Sequence, residues 1–216
     1  MSSIMNLFRH LGANAALEEA ATGRGQAEIE HVFYAKFDLR WLQATATSIE
    51  DQEQWELRIA KTETNAMGGR MRIRKTRRQG VSDPAQYVLT IKTKLPERGE
   101  LEVAIPASED GFAQFKAMSE CGMVKRRHTL TCEGTASQWE VDVFFKPDGT
   151  PQEWCKIDFE LSEPGQKCPP LPLEFTEAIQ NGPGGNPETQ AFIRNLYEAV
   201  FISKNDGTLP SVPELA

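Results

Sequence analysis

The sequence predicts a mainly β protein with an α+β character, an eight-stranded antiparallel meander with helices packed outside it. Three observations predict this. Eight segments carry apolar residues at every second position, clusters of turn-forming residues separate them, and three further stretches carry apolar stripes at helical spacing. With 216 residues, 39% of them hydrophobic, the chain has enough material for one domain with decorations.

The strands are read in order. Residues 28–37 (EIEHVFYAKF), 54–62 (QWELRIAKT), 70–77 (RMRIRKTR), 86–95 (QYVLTIKTKL) and 99–106 (GELEVAIP) alternate, followed by 123–132 (MVKRRHTLTC), 137–145 (SQWEVDVFF) and 153–162 (EWCKIDFELS). Their connectors supply turn chemistry at Asn65 to Gly69, Ser82-Asp83-Pro84, Glu97-Arg98-Gly99, Gly134-Thr135 and Pro147-Asp148-Gly149. A first helix is predicted over 3–20, with Ile4, Leu7, Phe8 and Leu11 on one stripe. A second spans 109–121 after a Ser108 cap, burying Phe112, Phe115 and Met118 and stopping at Gly122. The third runs from Pro187 to about Ile202, capped by Asn186, with Phe192, Ile193, Leu196 and Val200 as its apolar face. Residues 163–185 read as Pro- and Gly-rich connection, and the tail after Asn205 as loose.

Composition narrows the function classes. A net charge of −7 argues against capture of DNA or a membrane surface by the whole molecule, while leaving room for a basic cavity inside an acidic exterior. Cys121, Cys132, Cys155 and Cys168 form no Cys-x-x-Cys pair, so they read as free thiols in a reducing compartment. No run is apolar for long enough to act as a signal or to span a bilayer, and the expectation is a cytoplasmic protein.

The chemistry sits on the second face of each strand. Opposite the apolar residues, the two-residue period places Glu28 and Glu30, Glu56 and Arg58, Arg70, Arg72 and Arg74, and Lys92 and Lys94. It continues with Glu100 and Glu102, Lys125 and Arg127, Glu140 and Asp142, and Lys156, Asp158 and Glu160. Period alone leaves open a solvated outer face or a charged cavity. Two details favour the cavity: nearly all these positions are ionisable rather than Ser, Thr, Asn or Gln, and the signs come in blocks by strand. Were the strands to close into a barrel with this face inward, carboxylates suited to Mg²⁺ or Mn²⁺ would stand beside an Arg and Lys cluster suited to phosphate oxygens. A triphosphate-bearing small molecule fits such a pair.

Other features are weaker. His10, His31 and His128 are scattered, and parity puts His31 and His128 on the apolar face. Gly182-Pro183-Gly184-Gly185 follows no strand and lacks the Gly-Lys-Ser/Thr ending of a phosphate loop. The basic run from Arg70 to Arg78 has no aromatic residue for base stacking, which argues against nucleic acid other than a 5′-triphosphorylated RNA end. Trp41, Trp55, Trp139 and Trp154 read as core or strand-edge anchors.

Seven pieces in order resemble the CYTH, or triphosphate tunnel metalloenzyme, superfamily. They are Glu28-Ile29-Glu30, Arg72-Ile73-Arg74, Leu89-Thr90-Ile91-Lys92, Glu100-Leu101-Glu102, Lys125-Arg126-Arg127, Val141-Asp142-Val143 and Asp158-Phe159-Glu160, within about residues 27–175. The resemblance implies a closed eight-stranded tunnel over 27–175, preceded by a helix and linker at 1–26 and followed by a C-terminal helix and tail at 176–216 that pack on the barrel. It implies that Glu28, Glu30, Asp158 and Glu160 bind the divalent metal and that Glu28, Glu30, Asp142 and Glu160 are the catalytic carboxylates. Arg72, Arg74, Lys92, Lys125 and Arg127 would hold the triphosphate, joined by Lys94 from the strand of Lys92, with Glu102 as a further inward carboxylate. The implied reaction is hydrolysis by a metal-positioned water, without a side-chain nucleophile. Two positions depart from the pattern: Val32 stands where the opening Glu-x-Glu-x-Lys motif has its Lys, and Asp158 where the last motif usually has Glu. The alternatives are a class IV-like adenylyl cyclase and a nucleotide- or polyphosphate-binding protein with weak turnover.

Overall fold

The computed structural model describes residues 30–59, 69–95, 99–132, 137–161, 167–181, 186–203 and 209–210, with the side chains of residues 30, 58, 59, 93–95 and 99–101 excepted. Ten strands and three helices occur among them. In chain order they are β1 (Glu30–Lys36), α1 (Leu39–Thr45), β2 (Ser48–Ile59), β3 (Gly69–Arg78), β4 (Gln86–Leu95), β5 (Gly99–Pro106) and α2 (Glu109–Met118). Then come β6 (Cys121–Thr131), β7 (Gln138–Phe145), β8 (Pro151–Glu160), β9 (Thr176–Asn181), α3 (Pro187–Glu198) and β10 (Ile202–Ser203). The helix expected over 3–20 lies outside the described residues. None of the described helices is long and apolar enough to cross a membrane.

The chain divides into two compact units. Among the described residues, one contains those of 53–76 and 84–122 and the other those of 30–52, 77–83 and 123–210. In the first unit the strands follow the order β5-β4-β3-β2, antiparallel, with Arg70 opposite Lys92 and Lys92 opposite Glu102. Met71, Ile73, Leu89 and Ile105 are buried on one side of it. Helix α2 begins where Ser108 Oγ accepts the Gly111 amide at 3.0 Å, and its Phe112 ring meets Tyr87 with centroids 5.4 Å apart. It ends three residues earlier than the sequence suggests. Ser119 turns extended, is itself buried, and returns its amide and hydroxyl to the Phe115 carbonyl, both at 2.9 Å. Met118, expected in the core, is therefore left exposed at the last helical position.

In the second unit the order is β6-β7-β8-β1-β9, with β10 also on β6. The β7–β8 turn needs Gly149 at φ +82°, where its amide bonds the Lys146 carbonyl at 2.9 Å while Asp148 accepts from the Thr150 amide. One face carries the main core: Ala35, Trp139, Val141, Val143, Cys155, Ile157 and Phe159, covered by Leu42 and Trp41 of α1 and by Phe175. Short α1 was not expected. Asp38 starts it by accepting from the Arg40 and Trp41 amides at 2.8 and 3.1 Å, and seven residues are too few to show a period.

Two architectural expectations change. The eight-stranded barrel in sequence order would bring β1 beside β2, but both edges of β1 are taken, by β8 and by β9, a strand formed within what reads as connection. The described ladders run from β5 at one end to β9 at the other and do not close. The C-terminal helix also does not sit on the apolar outer side. Leu196, Val200, Phe192 and Tyr197 pack with Val32, Tyr34, Met123 and Phe144, which stand on the same face of their strands as the charged residues. It ends at Glu198, and Ile202 joins the sheet.

Candidate functional site

The strand registers of the second unit arrange its charged face in rows. Arg127 of β6 lies opposite Asp142 of β7, which lies opposite Lys156 of β8, which lies opposite Tyr34 of β1. The neighbouring row is Thr129, Glu140, Asp158 and Val32. Residues two apart on a strand share a face, so Lys125 and Glu160 extend the pattern at either end. Across the first row the signs alternate, Arg127 to Asp142 to Lys156, while β6 carries cations and β7 carboxylates along its length.

These groups are buried against one another. Asp142 is 1% exposed, Lys125 6%, Asp158 6%, Arg127 14% and Lys156 21%. Asp142 accepts from Arg127 Nε at 2.8 Å and Nη2 at 2.9 Å, and pairs with Lys125 Nζ. Arg127 Nη1 turns to Glu140. Burial alone would raise the Asp142 carboxyl, but the Arg127 and Lys125 charges and the Arg127 bonds overcome it and hold the group well below the usual carboxylate range. Burial likewise opposes the Arg127 charge, and Asp142 more than restores it. Lys156 Nζ donates to Asp158 Oδ2 at 2.6 Å. Asp158 Oδ1 is buried and meets no hydrogen-bond partner among the described residues. A wet sheet face would leave these side chains in water, and this face does not.

The first unit has its own smaller set. Arg72 Nη2 reaches Glu102 Oε1 at 3.1 Å and Lys92 pairs with Glu102 Oε2, all three less than a fifth exposed. Arg74 is partly buried on the same strand face as Arg72. Its Lys94 has a described backbone, opposite Glu100, but its side chain lies outside the described set.

Of the expected metal ligands, Asp158 is buried and Glu160 is exposed at the end of β8. Glu30 is the cross-strand partner of Glu160, with its side chain outside the described set, and Glu28 lies outside the described residues altogether. No group of three or more metal-capable side chains occurs among the described residues. A hard divalent cation such as Mg²⁺ or Mn²⁺ takes carboxylate oxygens, and the buried Asp158 Oδ1 is a donor of that kind.

No protein-family model matches the chain, and no curated protein matches it. Several solved structures are similar, three of them as follows. PH1819 of Pyrococcus horikoshii OT3 is 18% identical with a TM-score of 0.43, over 62% of this chain and 80% of that one. The hypothetical protein NE1496 is 21% identical with a TM-score of 0.41, over 70% and 88%. HpAC1 of Hippeastrum, a putative adenylyl cyclase described as having a dominant triphosphatase activity, is 10% identical with a TM-score of 0.37, over 84% and 93%.

Three participants carry no assigned role in the sequence reading. Lys156 and Glu140 stand on the charged face by parity, but only the register shows Lys156 between Asp142 and Tyr34 and Glu140 beside Asp158. Tyr34 shares the parity of Glu30, and an aromatic residue in a charged row was the available signal. Its phenol is raised by burial and by Tyr197, whose hydroxyl lies 3.4 Å away.

A second buried charge lies on the opposite, apolar face of the same unit. Arg126 Nε donates to Asp51 Oδ1 at 2.7 Å, and Gln79 donates to Asp51 Oδ2 at 2.9 Å. Nearby His128 is fully buried, as parity indicates. Burial, aided by the Arg126 charge, lowers its pKa to about 4.

Proposed function

We propose that the charged face binds a triphosphate group and that the chain is a divalent-metal-dependent triphosphate hydrolase. The observation that supports this reading most is the buried row of Arg127, Asp142 and Lys156 beside Asp158. Asp142 fixes the Arg127 fork and the Lys125 ammonium in one place, so two cations are pre-oriented for phosphate oxygens and need little reorganisation. By itself, the first unit holds Arg72 and Lys92 on Glu102 in the same way, and the phosphate-binding role of Arg72, Arg74, Lys92 and Lys94 is proposed for that unit's own charged face.

Asp158 with Glu28, Glu30 and Glu160 would hold Mg²⁺ or Mn²⁺. Bound there, the ion would lower the pKa of a water and neutralise phosphate oxygens. Arg127 and Lys125 would bind the phosphate chain and oppose charge gathering on the leaving group, and Asp142 would keep them oriented. No serine, cysteine or histidine is asked to attack.

A second reading, a polyphosphate binder with little turnover, is favoured by one observation: Val32 is buried in the apolar cluster beneath α3, so that position supplies no cation. Phosphate release from tripolyphosphate, ATP and thiamine triphosphate, with Mg²⁺ or Mn²⁺ and a Glu28→Ala/Glu30→Ala control, separates the two. Metal-dependent release by the wild type alone supports the hydrolase; saturable binding without release supports the binder. Cyclic AMP from ATP would point to the cyclase.

A further inference from the structure

We propose that Lys156 is the third phosphate-gripping cation of the second unit, doing from β8 what a lysine at position 32 of β1 would do. This rests on the triphosphate reading above and assigns one more residue to that site.

The register carries the inference. Position 32 lies directly opposite Asp158, so a lysine there would extend over that carboxylate; the residue present is Val32, turned into the cluster with Tyr34, Leu196 and Val200. Lys156 is two residues before Asp158 on the same strand and on the same face, and its ammonium bonds Asp158 Oδ2 at 2.6 Å. The cation missing from one strand is thus supplied by its neighbour, at the same carboxylate. Lys156 also lies opposite Asp142 in the row that contains Arg127, and its positive charge helps to depress the Asp142 carboxyl.

The three cations differ in attachment. Lys125 and Arg127 both converge on Asp142, while the ion pair of Lys156 is with Asp158. Asp158 presents a second oxygen, buried and without a hydrogen-bond partner among the described residues, which leaves it room to receive another positive group. The flexible four-carbon stem of Lys156 lets its ammonium turn from Asp158 to a phosphate oxygen without backbone movement. Tyr34, across the strand pair, is desolvated and remains a neutral neighbour. Lys156 would then contact substrate, whereas Asp142 positions.

The test uses the full chain and tripolyphosphate. Lys156→Met removes the charge at nearly constant length, and Lys156→Met/Val32→Lys returns a cation from the other strand. Binding is followed by calorimetry in EDTA, hydrolysis with Mg²⁺ or Mn²⁺, and folding by the thermal midpoint without ligand. Lys156→Met is expected to weaken tripolyphosphate binding by about ten-fold or more, and the double variant to recover most of the loss. A folded Lys156→Met protein that binds within about two-fold of wild type overturns the inference, as does a folded double variant with no recovery. If Lys156→Met does not fold, Lys156→Arg decides: retained binding supports the role, and binding lost in a folded arginine variant overturns a charge-based one. Failure of the wild type to bind tripolyphosphate would instead sink the triphosphate reading, before any variant is compared.

Discussion

Replacing Asp142 by alanine tests whether the charged face is a buried electrostatic device or a coincidence of alternation. The carboxylate is 1% exposed and takes both the Arg127 fork and the Lys125 ammonium. Removing it leaves Lys125 desolvated without that partner, while Arg127 keeps Glu140. Breaking a buried ion pair from one side costs about 3–5 kcal/mol, a large share of the 5–15 kcal/mol typical of a domain. Urea unfolding followed by tryptophan fluorescence measures it, since Trp139 and Trp154 both lie in the second unit's clusters. Tripolyphosphate should add less stability to Asp142→Ala than to wild type, because the cations that Asp142 orients lose their placement. An unfolding midpoint equal to that of wild type would refute the reasoning, since it would mean that these groups are hydrated and that Asp142 holds nothing in place.

Further expectations follow from the same structure. His128 is neutral in the fold down to about pH 4, while an unfolded histidine takes its proton near 6.5, so stability should fall as pH drops from 6.5 towards 4, by up to about 3 kcal/mol; His128→Leu should flatten that part of the pH profile of the urea midpoint. The Asp142 carboxyl acts in the acid range: its contribution is present at neutral pH and is lost as pH falls through its depressed folded value, seen as a second acid limb absent from Asp142→Asn. Gly122→Ala would place a methyl 2.8 Å from the Trp55 ring and 3.0 Å from the Gln54 carbonyl oxygen, and should cost about 1–3 kcal/mol in the same melts. Leu196→Ala should cost about 2–5 kcal/mol and loosen α3 from Tyr34 and Phe144, detected as faster amide exchange in α3.

Much of this architecture was legible in the sequence because a strand with one apolar face prints its period on every second residue. Strands β3, β4 and β5 begin and end within a residue of where alternation and turn residues place them. What escaped has physical causes. Helix α1 is too short to show periodicity, and β9 pairs through its backbone on the edge of β1 with mostly exposed side chains, so its sequence carries no apolar signature. The end of α2 depends on Ser119 returning its hydroxyl to the helix, and serine is equally at home in a turn.

The site was legible in part for the same reason. Parity alone placed Arg127, Asp142 and Asp158 on one face, because side chains two apart must share it. Parity cannot supply register. That Lys156 faces Asp142 and Tyr34, and that Val32 faces Asp158, depends on how β7, β8 and β1 align. Nor could the pattern show that α3 docks on the charged side: its apolar stripe fits either face, and Val32, Tyr34, Met123 and Phe144 decide between them.

The most direct measurement is equilibrium titration of the full chain with tripolyphosphate, in EDTA and again with Mg²⁺, comparing wild type with Arg127→Gln. One saturable site is expected, weakened by salt, tightened by Mg²⁺ and largely lost in a folded Arg127→Gln protein. Heats that never saturate, or a folded variant indistinguishable from wild type, would contradict it.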